Sequence, residues 1–167
     1  EYLISDIVQD WTENKIKSIL TKSGLYEKEM IDIKRYMAHS KHIFPYTLTG
    51  EPGLSTGASL YHLIDKYCGV INVGPFGCMN SRMTEAVTTV EMTLEGKKIA
   101  SNLAKEKVDL SYLEGDIGAL PFLSIECDGN PFSQILEARL ETFMLQANRL
   151  YNKIQEKKKS NKEKLNI

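Results

Sequence analysis

Apolar residues near the start of the chain recur at helical spacing. Ile4, Ile7, Val8, Trp11, Ile16, Ile19 and Leu20 form one stripe, and Ser23-Gly24 ends it. A second stripe follows with Tyr26, Met30, Ile33 and Met37 and fades at Phe44-Pro45. A short Gly-containing turn joins the two, so an antiparallel helical pair is expected. "TLTGEPGLSTGASLYHLIDKYCG" then opens as a Gly-, Thr- and Ser-rich loop and passes into a short helix carrying Leu60, Leu63, Ile64 and Tyr67. "GVINV", from Gly69 to Val73, is a β-branched run of the kind buried on both faces of a sheet. Beyond the turn at 74–80, Met83, Val87 and Val90 mark another helix, with Asn80 or Ser81 as its N-cap. The pattern weakens from Gly96 to Leu120, where "KKIASNLAKEK" suits a helix and "YLEGDIGAL" a connection. "LPFLSIE" is a second short apolar strand. "CDGNPF" closes it, placing Asn130 as N-cap and Pro131 at the first position of the last helix. That helix carries Phe132, Ile135, Leu136, Leu140, Phe143, Met144, Ala147 and Leu150.

Helix, strand, helix, strand, helix in this order implies parallel strands joined by a right-handed crossover. The expected fold is α/β: a helix-rich, three-layer fragment with a small parallel sheet, a flavodoxin- or Rossmann-like half and an N-terminal helical pair. Two strands make a small sheet, and further short strands are expected near 44–49 and 108–110. The organisation that follows is one domain over 1–151, with the helical pair at 1–45 and the α/β portion at 46–151. From Asn152 the chain is mostly Lys, Asn and Glu, and 152–167 reads as a flexible charged tail.

The composition, 42% apolar and 26% charged over 167 residues, suits a globular domain. A net charge of -1 supplies no general attraction to nucleic acid or to a membrane surface. No apolar run is long enough to span a bilayer, and no secretory signal opens the chain. The first residue, Glu1, falls within a helical pattern and no Met precedes it, as expected of a domain taken from a longer protein. Cys68, Cys78 and Cys127 are odd in number and form no CxxC, which points to a reducing, cytoplasmic setting rather than a disulfide framework. His39, His42 and His62 are not spaced as zinc ligands with any of these cysteines.

In open parallel sheets ligands gather beyond the carboxyl ends of the strands. The turn bearing Cys78, the turn bearing Glu126, Cys127 and Asp128, and the "GEPGLSTG" loop are all expected at that edge. Cys78 precedes a helix start, where free N–H groups and the positive dipole end favour thiolate. On this local evidence a small buried residue is the first reading, a metal ligand the second and a nucleophile the third. A nucleophile requires a base, and no histidine follows Cys78. "GEPGLSTG" lacks the GK[ST] ending of a P-loop, yet Gly50, Gly53, Ser55 and Thr56 could hold an anion before a helix. An ordinary helix start explains them too. Glu126 and Asp128 suit an acid–base pair, or ion pairs with Arg82 and Arg139.

Three segments in this order, "GEPGLSTGASLYHLID", "GVINVGPFGCMNSRMTEAV" and "LPFLSIECDGNPFSQILEARLETFMLQANRL", resemble one family. It is the C-terminal region of the CoA-substrate-specific enzyme activases, activators of 2-hydroxyacyl-CoA dehydratases of the 2-hydroxyglutaryl-CoA type found in anaerobes. The resemblance covers roughly Thr49 to Tyr151. It implies a parent protein in which an ATPase module of the acetate/sugar kinase and Hsp70 type is joined to a dehydratase-like region. There, ATP hydrolysis drives low-potential electron transfer through a 4Fe-4S cluster. The resemblance implies a cluster-ligand role for Cys78, which stands in "PFGCM", and for no other residue. ATPase signatures are absent from this chain, so ATP hydrolysis is not expected of it. One well-placed cysteine cannot supply the full set of thiolates that such a cluster ordinarily requires, so this chain alone is expected to be metal-free. The implied partners are the ATPase module, the dehydratase-like region and an acyl-CoA dehydratase, with an acyl-CoA or partner docking surface at the same edge. The alternatives are a stand-alone dehydratase-like or Cys-dependent enzyme, and a scaffold or docking domain without a site.

Overall fold

The computed structural model describes residues 2–26, 28–29, 31–129 and 134–165, with side chains described between Ser5 and Asn161. It is an α/β, helix-rich fold with a small two-stranded parallel sheet, as the alternation of helix and strand signals indicates. The chain divides into two compact units, Glu1–Ile33 and Lys34–Ile167.

The first unit is built on α1, Tyr2–Thr21. The run ends where Gly24 turns with φ +71°, its N–H donating to Thr21 O at 3.1 Å. Glu13 and Lys17, one helical turn apart, form an ion pair, and Lys17 also donates to Glu29 O. Glu13 further accepts from the Ile31 N–H at 3.4 Å. Hydrogen bonding from Lys17, opposed by burial, holds the Glu13 carboxyl below its usual value.

The expected helical pair takes a different form. The second helix, α2, spans only Ile33–Ser40 and begins at the boundary with the second unit. Tyr26 lies outside it, and Met30, of the same expected stripe, is outside the described residues. The later helices are α3 (Pro52–His62), α4 (Met79–Glu91), α5 (Leu94–Leu103) and α6 (Gln134–Leu165). Strands β1 (Val70–Pro75) and β2 (Phe122–Cys127) pair in parallel, with Val70 opposite Phe122 and Pro75 opposite Cys127. Among the described residues no strand forms at 44–49 or 108–110. The second stretch instead leads into a 3-10 turn at Ser111–Leu113, where Asp109 accepts from the Ser111 N–H and hydroxyl. The expected helix start at Asn130 and Pro131 lies outside the described residues, as does Phe132.

The core collects Leu60, Leu63 and Ile64 at the end of α3, Met92, Ala100 of α5, Leu110 to Leu120, and Leu150 and Ile154 of α6. Ile154 corrects the boundary drawn after Tyr151. With Leu150 it presents one face of α6 to the core, so the helix runs through the expected tail. Lys97 reaches into this core with its charge satisfied, donating to Leu60 O, Tyr61 O and Asp65 at 2.7, 2.8 and 2.7 Å. Leu60 O and Tyr61 O lie in the last turn of α3, where a cation complements the helix end. Burial still outweighs Asp65 and pulls the Lys97 pKa down.

One further expectation changes. "GVINV" is not buried on both faces, since Ile71 and Val73 are largely exposed. The buried face of α4 is Thr84 and Thr88, whereas Val90 is exposed. Among the described residues no helix is long and apolar enough to cross a membrane.

Candidate functional site

The carboxyl ends of both strands meet at one edge of the sheet. The Phe76 N–H donates to Cys127 O at 3.2 Å, carrying the ladder one step past β1. Gly77 turns the chain with φ +70°, and the Cys78 N–H closes the turn onto Pro75 O at 3.2 Å. Helix α4 then starts at Met79, so the N-cap is Cys78 (φ −68°, ψ 117°), not Asn80 or Ser81. Those two side chains belong to the first turn instead. That turn lies directly on the strand: a Cβ on Gly74 would stand 2.0 Å from Ser81 Oγ, so only glycine fits there.

The consequence for Cys78 is electrostatic. The neutral thiol makes no capping hydrogen bond. The groups around it favour its ionised form: the Ser81 N–H first, then the Ser81 hydroxyl, with the Asn80 N–H contributing less. Partial burial and the Glu51 carboxylate oppose them, and the net effect is a thiol pKa below the usual value. Cys68 shows the reverse, because burial pushes its thiol up. Cys127 is exposed at the end of β2.

The glycine-rich stretch reaches this edge only through its first residues. Gly50, with φ +114°, passes so close to α4 that a Cβ on it would lie 3.2 Å from Asn80 Oδ1, and Glu51 is near enough to act on Cys78. Helix α3 then begins at once, with Pro52 fixing its first turn. Gly53 and Thr56 are buried in packing rather than open to an anion. Gly53 O accepts from the Ser40 hydroxyl at 2.7 Å, and Thr56 Oγ1 bonds Thr88 Oγ1 of α4 at 2.8 Å. Ser55 is half-buried, and its N–H donates to Glu51 O at 2.9 Å within the first turn.

Glu126 is held by Arg82, whose Nε lies 2.5 Å from Oε1 and whose Nη2 donates to Oε2 at 2.6 Å. This ion pair, with its hydrogen bond through Nη2, ties the first turn of α4 to the end of β2. Arg82 also reaches Glu85 at 3.2 Å, and Glu126 and Asp128 line a cleft of about 190 Å³ with Arg82, Glu85 and Arg139. Arg139 bonds the strand itself, donating to Ser124 O at 2.7 Å. The pairing of Glu126 with Arg82 is one that charge pattern alone anticipates. It leaves Glu126 engaged as an ion-pair partner rather than as an open acid or base.

The histidines are engaged elsewhere. His39 Nδ1 meets Arg35 O at 2.9 Å, His62 Nε2 meets the Tyr36 hydroxyl at 3.0 Å, and His42 Nε2 meets Glu91 at 3.2 Å. Among the described residues no group of three or more His, Cys, Asp and Glu side chains is placed to hold a metal ion. Cys78, Gly50, Glu126 and Asp128 thus share the strand-end edge, and Gly53, Ser55 and Thr56 serve α3. Ser81, Asn80 and Glu51, which set the state of the thiol, were not legible as site residues. Their one signal is spacing, since the residues two and three after an N-cap supply its free N–H groups. No protein-family model, curated protein or solved structure matches this chain.

Proposed function

We propose that this chain is a non-catalytic lobe of an activator of 2-hydroxyacyl-CoA dehydratases, working in the cytoplasm of an anaerobe. In this reading Cys78 supplies one thiolate ligand to an iron–sulfur cluster. The observation that carries it is the thiol at the N-cap of α4, lowered in pKa by the Ser81 and Asn80 groups. A thiolate is the form that binds iron, and such a position favours it. The donor set fits one corner of a cluster and not a whole one, because the described residues bring no three ligands together. In this reading the remaining ligands come from other domains of the parent protein, from a non-protein ligand or from a partner subunit. Bound there, the cluster would relay electrons toward the dehydratase. This chain's part is to present the thiolate and, through the Arg82–Glu126 pair, to fix the helix that carries it. A Cys-dependent hydrolase is the weaker reading, since all three histidines are engaged away from Cys78.

The test is Cys78→Ser in the protein that joins this chain to its ATPase module, with cluster content followed by visible absorbance and electron paramagnetic resonance. Loss or a marked change of the cluster signal is expected. A normal signal would end the ligand assignment. On the 167-residue chain, iodoacetamide alkylation against pH should give Cys78 a midpoint below that of Cys68, because Cys78 is lowered and Cys68 raised.

A further inference from the structure

The β1 edge of the sheet is open. Val70 donates to Pro121 O and Phe76 to Cys127 O, so the even-numbered residues of β1 turn their backbone groups toward β2. Ile71 and Val73 therefore turn theirs outward, where no described backbone group bonds them. Their side chains are uncovered as well, at 43% and 62% exposure. Edge strands are ordinarily guarded by a charge, a proline or a bulge. Val70–Gly74 has none of these. The guard comes only at Pro75, an outward position without an N–H. On the far side of the sheet, the outward carbonyl of Ser124 is already taken by Arg139 of α6.

We propose that the open edge of β1 pairs with the same edge of a second copy of this chain, antiparallel, about a two-fold axis at Asn72. The two outward residues stand on either side of Asn72. Ile71 of each copy then meets Val73 of the other, and the pair exchanges both N–H···O bonds. The edge is thus complementary to itself, as an isologous interface requires. Pairing joins two two-stranded sheets into a continuous β2-β1-β1-β2 sheet. The uncharged edge and the net charge of -1 set no strong repulsion between copies. This inference does not rest on the iron–sulfur reading.

Sedimentation velocity of the 167-residue chain should show a dimer. Val73→Lys should weaken it by about tenfold or more while circular dichroism stays unchanged, because a lysine on the edge opposes strand addition. Asn72→Cys should cross-link under mild oxidation through a 72–72 disulfide identified by mass spectrometry, since directly opposed residues on an antiparallel pair lie within disulfide reach. A chain that stays monomeric at about 100 µM overturns the proposal. So does a dimer indifferent to Val73→Lys, or one in which Asn72→Cys fails to cross-link.

Discussion

Helices α1 and α6 stand near opposite ends of the chain and carry similar apolar periodicity, yet they use it differently. On α1, Ile7, Trp11 and Ile19 are all more than half exposed, and the most buried described side chain is Lys17. On α6, Phe143, Leu150 and Ile154 are buried. The difference lies in what each helix has to lie on. Phe143 closes over Gly69, where a Cβ would stand 2.6 Å from its ring, and Leu150 and Ile154 enter the core shared with α3 and α5. Polar ties run along the rest of α6: Arg139 to Ser124 O, Lys153 to Asp116, and Lys157 to Asp109. In its own unit α1 meets the returning stretch before Ile33, through Glu13 and Lys17. A 3.6-residue apolar period therefore reports a helix, while its burial is decided by distant segments.

The largest effect that separates the two helices is side-chain truncation. Leu150→Ala should cost about 2 to 5 kcal/mol, the range for emptying a fully buried leucine site. Trp11→Ala should stay within about 0.5 kcal/mol, as for an exposed position. Urea unfolding of both variants measures this. Equal costs would mean that the apolar face of α1 is covered in solution, and the contrast would fail.

The same contrast explains what could be read in advance. Both strands and their parallel pairing were legible, because short β-branched runs alternate with helical patterns and the crossover has one favoured hand. The strand-end placement of Cys78, Glu126 and Asp128 followed from that topology. Burial was less legible. "VINV" has the composition of a central strand but lies at an edge, and no local pattern states how many strands a sheet will have. The glycine-rich stretch misled because Pro52, Gly53 and Gly57 read as loop residues. Here Pro52 occupies the first turn, and Gly57 lets α2 approach, a Cβ there falling 2.0 Å from Tyr36 O. The charged run after Tyr151 resembled a tail because Ile154 stands alone among Lys, Gln, Glu and Asn, with no further apolar residue before Leu165, and several of its core partners lie at 110–120.

A smaller effect tests how the body of the fold is fastened. Lys97 and Lys17 are both buried lysines, but Lys97 alone closes a helix end. Lys97→Ala strands the Leu60 and Tyr61 carbonyls without a donor and should cost about 1 to 3 kcal/mol in thermal or chemical unfolding. No loss of stability would show that water replaces the ammonium at no cost.

The smallest effect concerns the distal half of α6. Hydrogen bonds from Lys157, then from the Ser111 hydroxyl and N–H, hold the Asp109 carboxyl down at about 2. A carboxyl lowered on folding adds stability that is present above its unfolded value near about 4, and that fades as pH falls through the folded value. Asp109 is exposed, so the effect is local rather than global. Asp109→Asn should therefore speed amide exchange beyond Tyr151 at pH 6, relative to the unaltered chain at the same pH. The two should converge as pH falls through about 2, below which the Asp109 carboxyl is uncharged like the amide that replaces it. A pH-independent difference would assign the tie to the Ser111 turn, which Asn can also cap, rather than to Lys157. No difference at any pH would leave Ile154 as the anchor of this half of α6. The contrast with α1 would then rest on apolar burial alone.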